Sequence, residues 1–147
     1  MVLLQDNSVK VEFDSSVPCI IWTPIEYMEG EKFRDPFSVG INFMETKIKE
    51  LPNLGWLNDA RKLKSVKIDD TKWLNQNVND RAYKFGAKKV AFVLPENIFG
   101  KMAIKLYVEF TNKRSDNKLE IKAFNTIDKA RLWLKSPNTI SVEEVKL

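Results

Sequence analysis

Segments with a helical repeat of apolar residues alternate along this chain with short runs typical of strands. The clearest helical segment has apolar residues at steps of three and four: Phe33, Phe37, Ile41, Met44, Ile48 and Leu51. Asp35-Pro36 indicates its start, and Pro52 indicates its end. Such alternation is typical of α/β domains, in which helices connect the parallel strands of a sheet and pack on it.

Five strands are predicted. Residues 10–14 alternate polar and apolar, and residues 18–23 are more apolar, so the two together predict an N-terminal antiparallel hairpin. Further strands are predicted over residues 54–59, 88–94 and 119–124. The resulting order, β-β-α-β-α-β-α-β-α, predicts one mixed, mostly parallel sheet with about four packed helices.

Three more helices complete this pattern. Asp69 or Asp70 is expected to cap the second helix, Gly86 to end it, and Thr126 to cap a last helix over residues 127–135. Residues 97–113 are ambiguous, because residues 104–110 alternate as a strand does. A helix is favoured, since a crossover is needed here and five residues share one helical face: Phe99, Met102, Ala103, Leu106 and Phe110.

The length of 147 residues suits one domain, and no repeat or linker divides the chain. We therefore predict a single domain over residues 1–147, with a core over about residues 10–135. Residues 136–147 form a C-terminal tail. Ser136-Pro137-Asn138 is expected to break the last helix, and residues from 139 onward to form a loose end or an edge strand.

The composition excludes several kinds of chemistry. The chain has no histidine and one cysteine, Cys19, which lies in an apolar run and is interpreted as a small buried side chain. Histidine-dependent triads and zinc sites are therefore excluded, and no two glycines are spaced as in a nucleotide-binding loop. We predict no catalytic residue, metal, cofactor or phosphorylation site. No signal peptide or membrane-length apolar segment is seen, so a cytoplasmic protein is expected.

The charge is unevenly distributed. Residues 1–50 carry 5 basic and 9 acidic side chains, whereas residues 51–147 carry 19 and 11. Such asymmetry can mark an anionic partner, although lysines on solvated helices produce it as well. A modest basic cluster, Arg61, Lys62, Lys64 and Lys67, has no nucleic-acid-binding signature around it, so no DNA or RNA partner is expected.

Ligands of open α/β sheets bind at the carboxyl ends of the parallel strands. Four residues at or just after these strand ends are candidates to line a ligand crevice: Asp59, Arg61, Glu96 and Asn97. Trp73 is added as an aromatic that could line a pocket or a subunit interface. The alternative is that these residues have structural roles only. Asp59 would then accept hydrogen bonds from loop amides, and Glu96 and Asn97 would form the start of a helix.

Four segments carry a resemblance to a known family. They are GWLNDARKL at residues 55–63, DDTKWL at residues 69–74, KKVAFVLP at residues 88–95, and residues 124–134. Together they resemble STAS-like (SpoIIAA-like) domains over roughly residues 10–135. The resemblance implies an α/β domain used in regulation and partner binding. The phosphorylatable serine of the anti-anti-sigma branch is replaced here by Ala60 and Arg61, so that switch is not expected.

The sequence thus predicts a non-enzymatic STAS-like regulatory or protein-interaction module. Its partner is expected to be a protein, with a second copy of the chain as one candidate. Such a module should expose an apolar patch or a dimer face. An alternative is a carrier of a small apolar or lipid-like ligand, which requires an enclosed pocket of about 300 Å³ or more. A third is an enzyme that uses the carboxylates of Asp59 and Glu96.

Overall fold

The computed structural model describes residues 1–136 and 141–147. Within them, six strands form one mixed sheet in the order β1-β2-β3-β4-β5-β6. The first two pairs are antiparallel and the last three are parallel. The β2–β3 hairpin and the parallel pairs confirm the prediction, whereas the β1–β2 pair was not predicted. The strands are β1 (Val2–Gln5), β2 (Val9–Asp14), β3 (Cys19–Pro24), β4 (Gly55–Asp59), β5 (Lys89–Val93) and β6 (Glu120–Phe124).

The described residues form four helical units, which confirms the α/β class. One unit, between β4 and β5, is a run of α-helix, π-helix and α-helix without a break. The helices are α1 (Glu31–Lys47), α2 (Ile68–Trp73), a π-helical segment (Leu74–Asn79), α3 (Asp80–Phe85), α4 (Ile98–Asn112) and α5 (Ile127–Lys135).

The helices cover the sheet on both faces. Right-handed crossovers that step in one direction from β3 to β6 place their helices on a single face, so α1, the α2–α3 unit and α4 pack together there. The last helix, α5, packs on the other face. Strand β5 shows the alternation that this requires: Val90 and Phe92 face the three helical units, whereas Ala91 and Val93 face α5.

Strand β1 was not predicted, because the first predicted strand begins at residue 10. Strand β1 pairs with β2, and the amino group of Met1 donates to the carbonyl of Phe13 at 2.9 Å. A four-residue strand at a sheet edge has too short an alternation to be recognised from its sequence.

The predicted starts of α1 and α2 are both wrong, and for one physical reason. Helix α1 begins at Glu31 after Gly30, which has a φ of 61° that glycine tolerates, so Asp35-Pro36 lies inside the helix. Helix α2 begins at Ile68 and is not capped by Asp69 or Asp70. The carboxylate of Asp70 instead accepts the Gly30 N–H at 3.0 Å and thereby fixes the start of α1.

Helix α4 confirms the prediction of a helix over residues 97–113. Of the five apolar residues predicted to share one face, however, Ala103 alone packs against the core in the described residues. The residues that α4 buries are Gly100, Ile104 and Thr111. Phe99 and Met102 point into solvent.

Two predicted helix boundaries are confirmed: Gly86 ends α3 in the left-handed conformation, and Thr126 caps α5 by accepting the Lys129 N–H at 3.2 Å. The predicted end of the first helix at Pro52 is wrong, since α1 ends at Lys47.

The described part of the tail pairs with the sheet through Val145. The N–H of Val145 donates to the carbonyl of Ala123 at 2.7 Å and forms a single antiparallel bridge to β6. The expected helix break at Pro137-Asn138 and the start of the tail at residue 139 lie outside the described residues.

Helix α1 approaches the sheet most closely at Gly40. A Cβ atom there would collide with the indole ring of Trp56, which is itself buried, stacked on Phe37 and hydrogen-bonded to Asn58. Gly40→Ala should therefore destabilise the fold by about 1–2 kcal/mol, because overpacking outweighs the better helix propensity of alanine. Chemical denaturation measures this, with the exposed α1 substitution Lys32→Ala as a control that should change stability by less than about 0.5 kcal/mol. An increase in stability for Gly40→Ala would contradict the close approach.

Candidate functional site

Two of the predicted crevice residues pair with each other. Asp59, buried at the end of β4, accepts hydrogen bonds from Nε and Nη2 of Arg61, both at 2.8 Å. These hydrogen bonds raise the pKa of the Arg61 guanidinium above its ordinary value. The two carboxylate oxygens of Asp59 are thus engaged in a bidentate ion pair, a different arrangement from the expected bonds to loop amides.

The other two crevice candidates lie at the start of α4. The side-chain oxygen of Asn97 accepts the N–H groups of Phe99 at 2.8 Å and Gly100 at 3.3 Å, so Asn97 is the N-cap of α4. Glu96 is exposed, and within residues 1–136 and 141–147 its carboxylate forms no hydrogen bond or ion pair. The group that faces Asp59 is therefore Arg61 rather than Glu96. In the same residues, no cluster of three or more side chains is arranged to hold a metal ion.

Trp73 contributes to the packing between α1 and α2. The Arg34 guanidinium lies over the Trp73 ring, 5.5 Å from its centre, and Arg34 Nε donates to Asp70 Oδ1 at 2.9 Å. The half-buried indole packs against the main core and is not among the residues that line the internal cavity. Its role as a pocket or interface residue stays a prediction.

The loop after β4 lies directly on the first turn of α4. A Cβ atom at Gly100 would collide with the carbonyl oxygen of Leu63, so only glycine allows this approach. Leu63 is buried, whereas Lys62, Lys64 and Lys67 of the same loop are exposed. The contact at Gly100 thereby places a basic loop beside the start of α4.

The start of α4 exposes three large apolar side chains. The exposed fractions are 65% for Ile98, 64% for Phe99 and 59% for Met102. Two exposed lysines lie on α4 and three on the loop that contacts α4 at Gly100. None of the five lies within ion-pair distance of a carboxylate in the part of the chain that the structure describes. We call this surface the α4 face; it comprises Ile98, Phe99, Met102, Lys62, Lys64, Lys67, Lys101 and Lys105.

A buried hydrogen-bond network fixes the rotation of α4. The hydroxyl of Thr111 accepts the side-chain amides of Asn75 at 2.8 Å and Asn79 at 3.2 Å, and it donates to the Tyr107 carbonyl at 2.9 Å. The Tyr107 hydroxyl donates to Asn79 Oδ1 at 2.8 Å, and burial raises the pKa of Tyr107 to about 12, so this donor stays protonated. The π-helical segment supplies both asparagines, and Thr111 must face them.

A cavity of about 70 Å³ lies between the sheet and the three helical units. Its lining is mostly apolar and includes Trp22, Phe37 and Tyr107. The buried indole N–H of Trp22 finds no acceptor among the described residues. The cavity is smaller than the roughly 300 Å³ typical of small-molecule sites.

Cys19 lies in the sheet interior and is fully buried, as predicted. Burial raises the pKa of its thiol to about 12. A thiol in this environment is protonated at neutral pH and is a poor nucleophile.

Comparison of the chain with protein-family models, with curated proteins and with solved structures finds no match in any of the three. In the described residues, every helix is too short or too polar to span a bilayer. The family resemblance of the sequence is therefore carried by its motifs alone.

The α4 face was missed by the sequence analysis, although both halves of it were noticed. In the sequence, the apolar stripe through Phe99 and Met102 indicates a helix, and the basic loop has no nucleic-acid-binding signature. Neither feature alone predicts that the two form one surface. The sequence feature that could have predicted this surface lies on the other side of α4, where small residues indicate the side that packs against the protein. A glycine at residue 100 and a threonine at residue 111 are small enough to pack closely, as Gly100 does against Leu63.

The network around Thr111 makes a direct prediction. Thr111→Val keeps the shape of the side chain but leaves two buried amides without an acceptor, so it should destabilise the protein by about 2–4 kcal/mol. Thr111→Ser keeps the hydroxyl and should cost about 1 kcal/mol for the lost methyl group. Urea denaturation of both variants measures the difference. Equal losses in the two variants would show that the hydroxyl does not hold α4 in place.

Proposed function

We propose that this chain is a non-enzymatic, STAS-like binding module that acts by docking the α4 face onto a partner. The observation that carries the proposal is the pairing of three exposed apolar side chains with five lysines that no described carboxylate neutralises. Full burial of one such apolar side chain is worth about 1.5–3 kcal/mol. Ile98, Phe99 and Met102 remain largely exposed in the fold, so a partner that buries them would be bound more tightly by part of this free energy.

The architecture supports the STAS-like part of the proposal. A mixed sheet carries parallel strands joined by helices, and the resembling segments fall on β4, α2, β5 and α5. The proposal includes the cytoplasm as the compartment, and the single buried, unpaired thiol of Cys19 supports a reducing environment.

The carboxylate-enzyme alternative has less support. An acid–base pair needs two carboxylates that face one reacting group, with titration shifted by burial or by each other. Here Arg61 holds Asp59, and Glu96 extends into solvent. The carrier alternative also has less support, because the apolar cavity of about 70 Å³ is too small for a lipid-like ligand. Two larger clefts, of about 470 and 630 Å³, have several charged side chains in their lining.

The charge of the α4 face argues against a second copy of the chain as its partner. A twofold dimer brings the same surface patch of each copy together. Five lysines would then oppose five lysines, and like charges across an interface are unfavourable. We therefore assign this face to a different, anionic molecule.

A photo-crosslinking experiment tests the proposal. Phe99→p-benzoylphenylalanine is produced in the full chain within cells of the source organism, which are then irradiated. Mass spectrometry of the purified chain should reveal a protein or lipid adduct from this position. Leu132→p-benzoylphenylalanine is the matched control, since Leu132 is 49% exposed on α5 and lies on the other side of the sheet. It should yield no adduct above the level without irradiation.

Competition sharpens this test. An excess of wild-type chain added to permeabilised cells should suppress the adduct from residue 99, whereas an excess of the Ile98→Ser/Met102→Ser variant should not. Absence of any adduct from residue 99, or equal adducts from residues 99 and 132, would refute docking through the α4 face.

A further inference from the structure

The apolar side chains of the α4 face project from the protein and do not line a groove. Ile98 and Met102 are four residues apart, so they lie one above the other on the outer side of the helix, with Phe99 beside them. The opposite side of the same two turns is buried through Gly100 and Ile104. The apolar cluster is therefore a raised tip at the beginning of a helix whose other side is anchored in the core.

The charges around this tip are mostly positive. Lys101 and Lys105 flank Ile98 and Met102 along α4, and the loop lysines approach through the contact between Leu63 and Gly100. The exposed acidic side chains on these segments are Glu96, Asp69 and Glu109, the last of them on α4 one turn after Lys105. Five lysines against three carboxylates leave the face with a positive excess.

The kind of basic residue decides between the possible anionic partners. Protein interfaces are enriched in arginine, tyrosine and tryptophan and depleted in lysine. Clusters of lysine beside apolar side chains are instead typical of binding to anionic lipid surfaces, where the long side chains keep their charge at the headgroups. A raised apolar tip also needs no complementary pocket when it enters a bilayer interface.

We infer that the partner of the α4 face is the surface of a membrane that contains anionic phospholipids. This inference rests on the proposed function and names its partner. The tip formed by Ile98, Phe99 and Met102 enters the boundary between headgroups and acyl chains, and the surrounding lysines contact the phosphate and carboxylate groups.

Co-sedimentation with vesicles tests the inference. The full chain should bind vesicles of phosphatidylcholine mixed with phosphatidylserine, and bind vesicles of phosphatidylcholine alone much more weakly. Binding should weaken as salt is added, because screening reduces the attraction. Lys62→Gln/Lys64→Gln should reduce the affinity by about 30-fold, at roughly fivefold for each lysine near the surface. Ile98→Ser/Phe99→Ser should reduce it by about 30-fold or more.

Two control variants carry the same chemical changes elsewhere. Lys49→Gln/Lys88→Gln removes two exposed lysines, one after α1 and one before β5, at the opposite end of the sheet. Leu132→Ser removes an exposed apolar side chain on α5. Both should bind the mixed vesicles as the wild type does. Equal losses in the controls and in the α4-face variants would overturn the inference, because binding would then depend on net charge alone.

The outcomes separate this inference from the proposed function. If the chain does not bind the mixed vesicles and residue 99 crosslinks only to an acidic protein, the inference of a lipid partner is wrong. The proposal of a binding module is then still supported. A crosslink between two copies of the chain through residue 99 overturns the lipid partner as well. If neither vesicle binding nor an adduct is found, both proposals fall.

Discussion

The rotation of α4 depends on one hydroxyl group, that of Thr111. It is fully buried and accepts two side-chain amides from the π-helical segment, whose buried asparagines need these partners. Because an unsatisfied buried amide costs about 1–3 kcal/mol, this network acts together with the burial of Ile104 and the close contact at Gly100 to determine which side of α4 faces the sheet. The helix therefore leaves Ile98, Phe99 and Met102 in water, and the α4 face exists as a consequence.

A second constraint gives this surface its charge. Gly100 lets the carbonyl of Leu63 approach the helix backbone, which places the loop that carries three lysines beside the start of α4. Two ion pairs elsewhere in the protein connect parts of the fold. Asp70 joins the start of α1 to Arg34, and Asp59 holds Arg61 at the end of β4. Of the two carboxylates that first suggested chemistry, Asp59 is occupied in an ion pair and Glu96 is exposed. The α4 face instead carries five lysines that no carboxylate pairs within the described residues.

Much of the fold follows from local sequence, and what does not depends on contacts distant in the chain. The strands β2 to β6 and the cap of α5 were predicted because alternation and capping are properties of neighbouring residues. The starts of α1 and α2 were not, because a carboxylate of one helix binds the first turn of the other. The candidate site was predicted only in pieces. Periodicity shows that Phe99 and Met102 share a helix side, but the contacts of Gly100, Ile104 and Thr111 with distant parts of the chain determine which side is buried.

The exposure of Met102 tests the central claim most directly. Brief oxidation of the native protein by hydrogen peroxide, followed by peptide mass spectrometry, compares the methionines within one sample. Met102 is 59% exposed and should oxidise rapidly, whereas Met44 and Met28, at 1% and 5%, should stay reduced until the protein unfolds. Protection of Met102 equal to that of Met44 would mean that α4 turns its apolar stripe inward, and the α4 face would not exist.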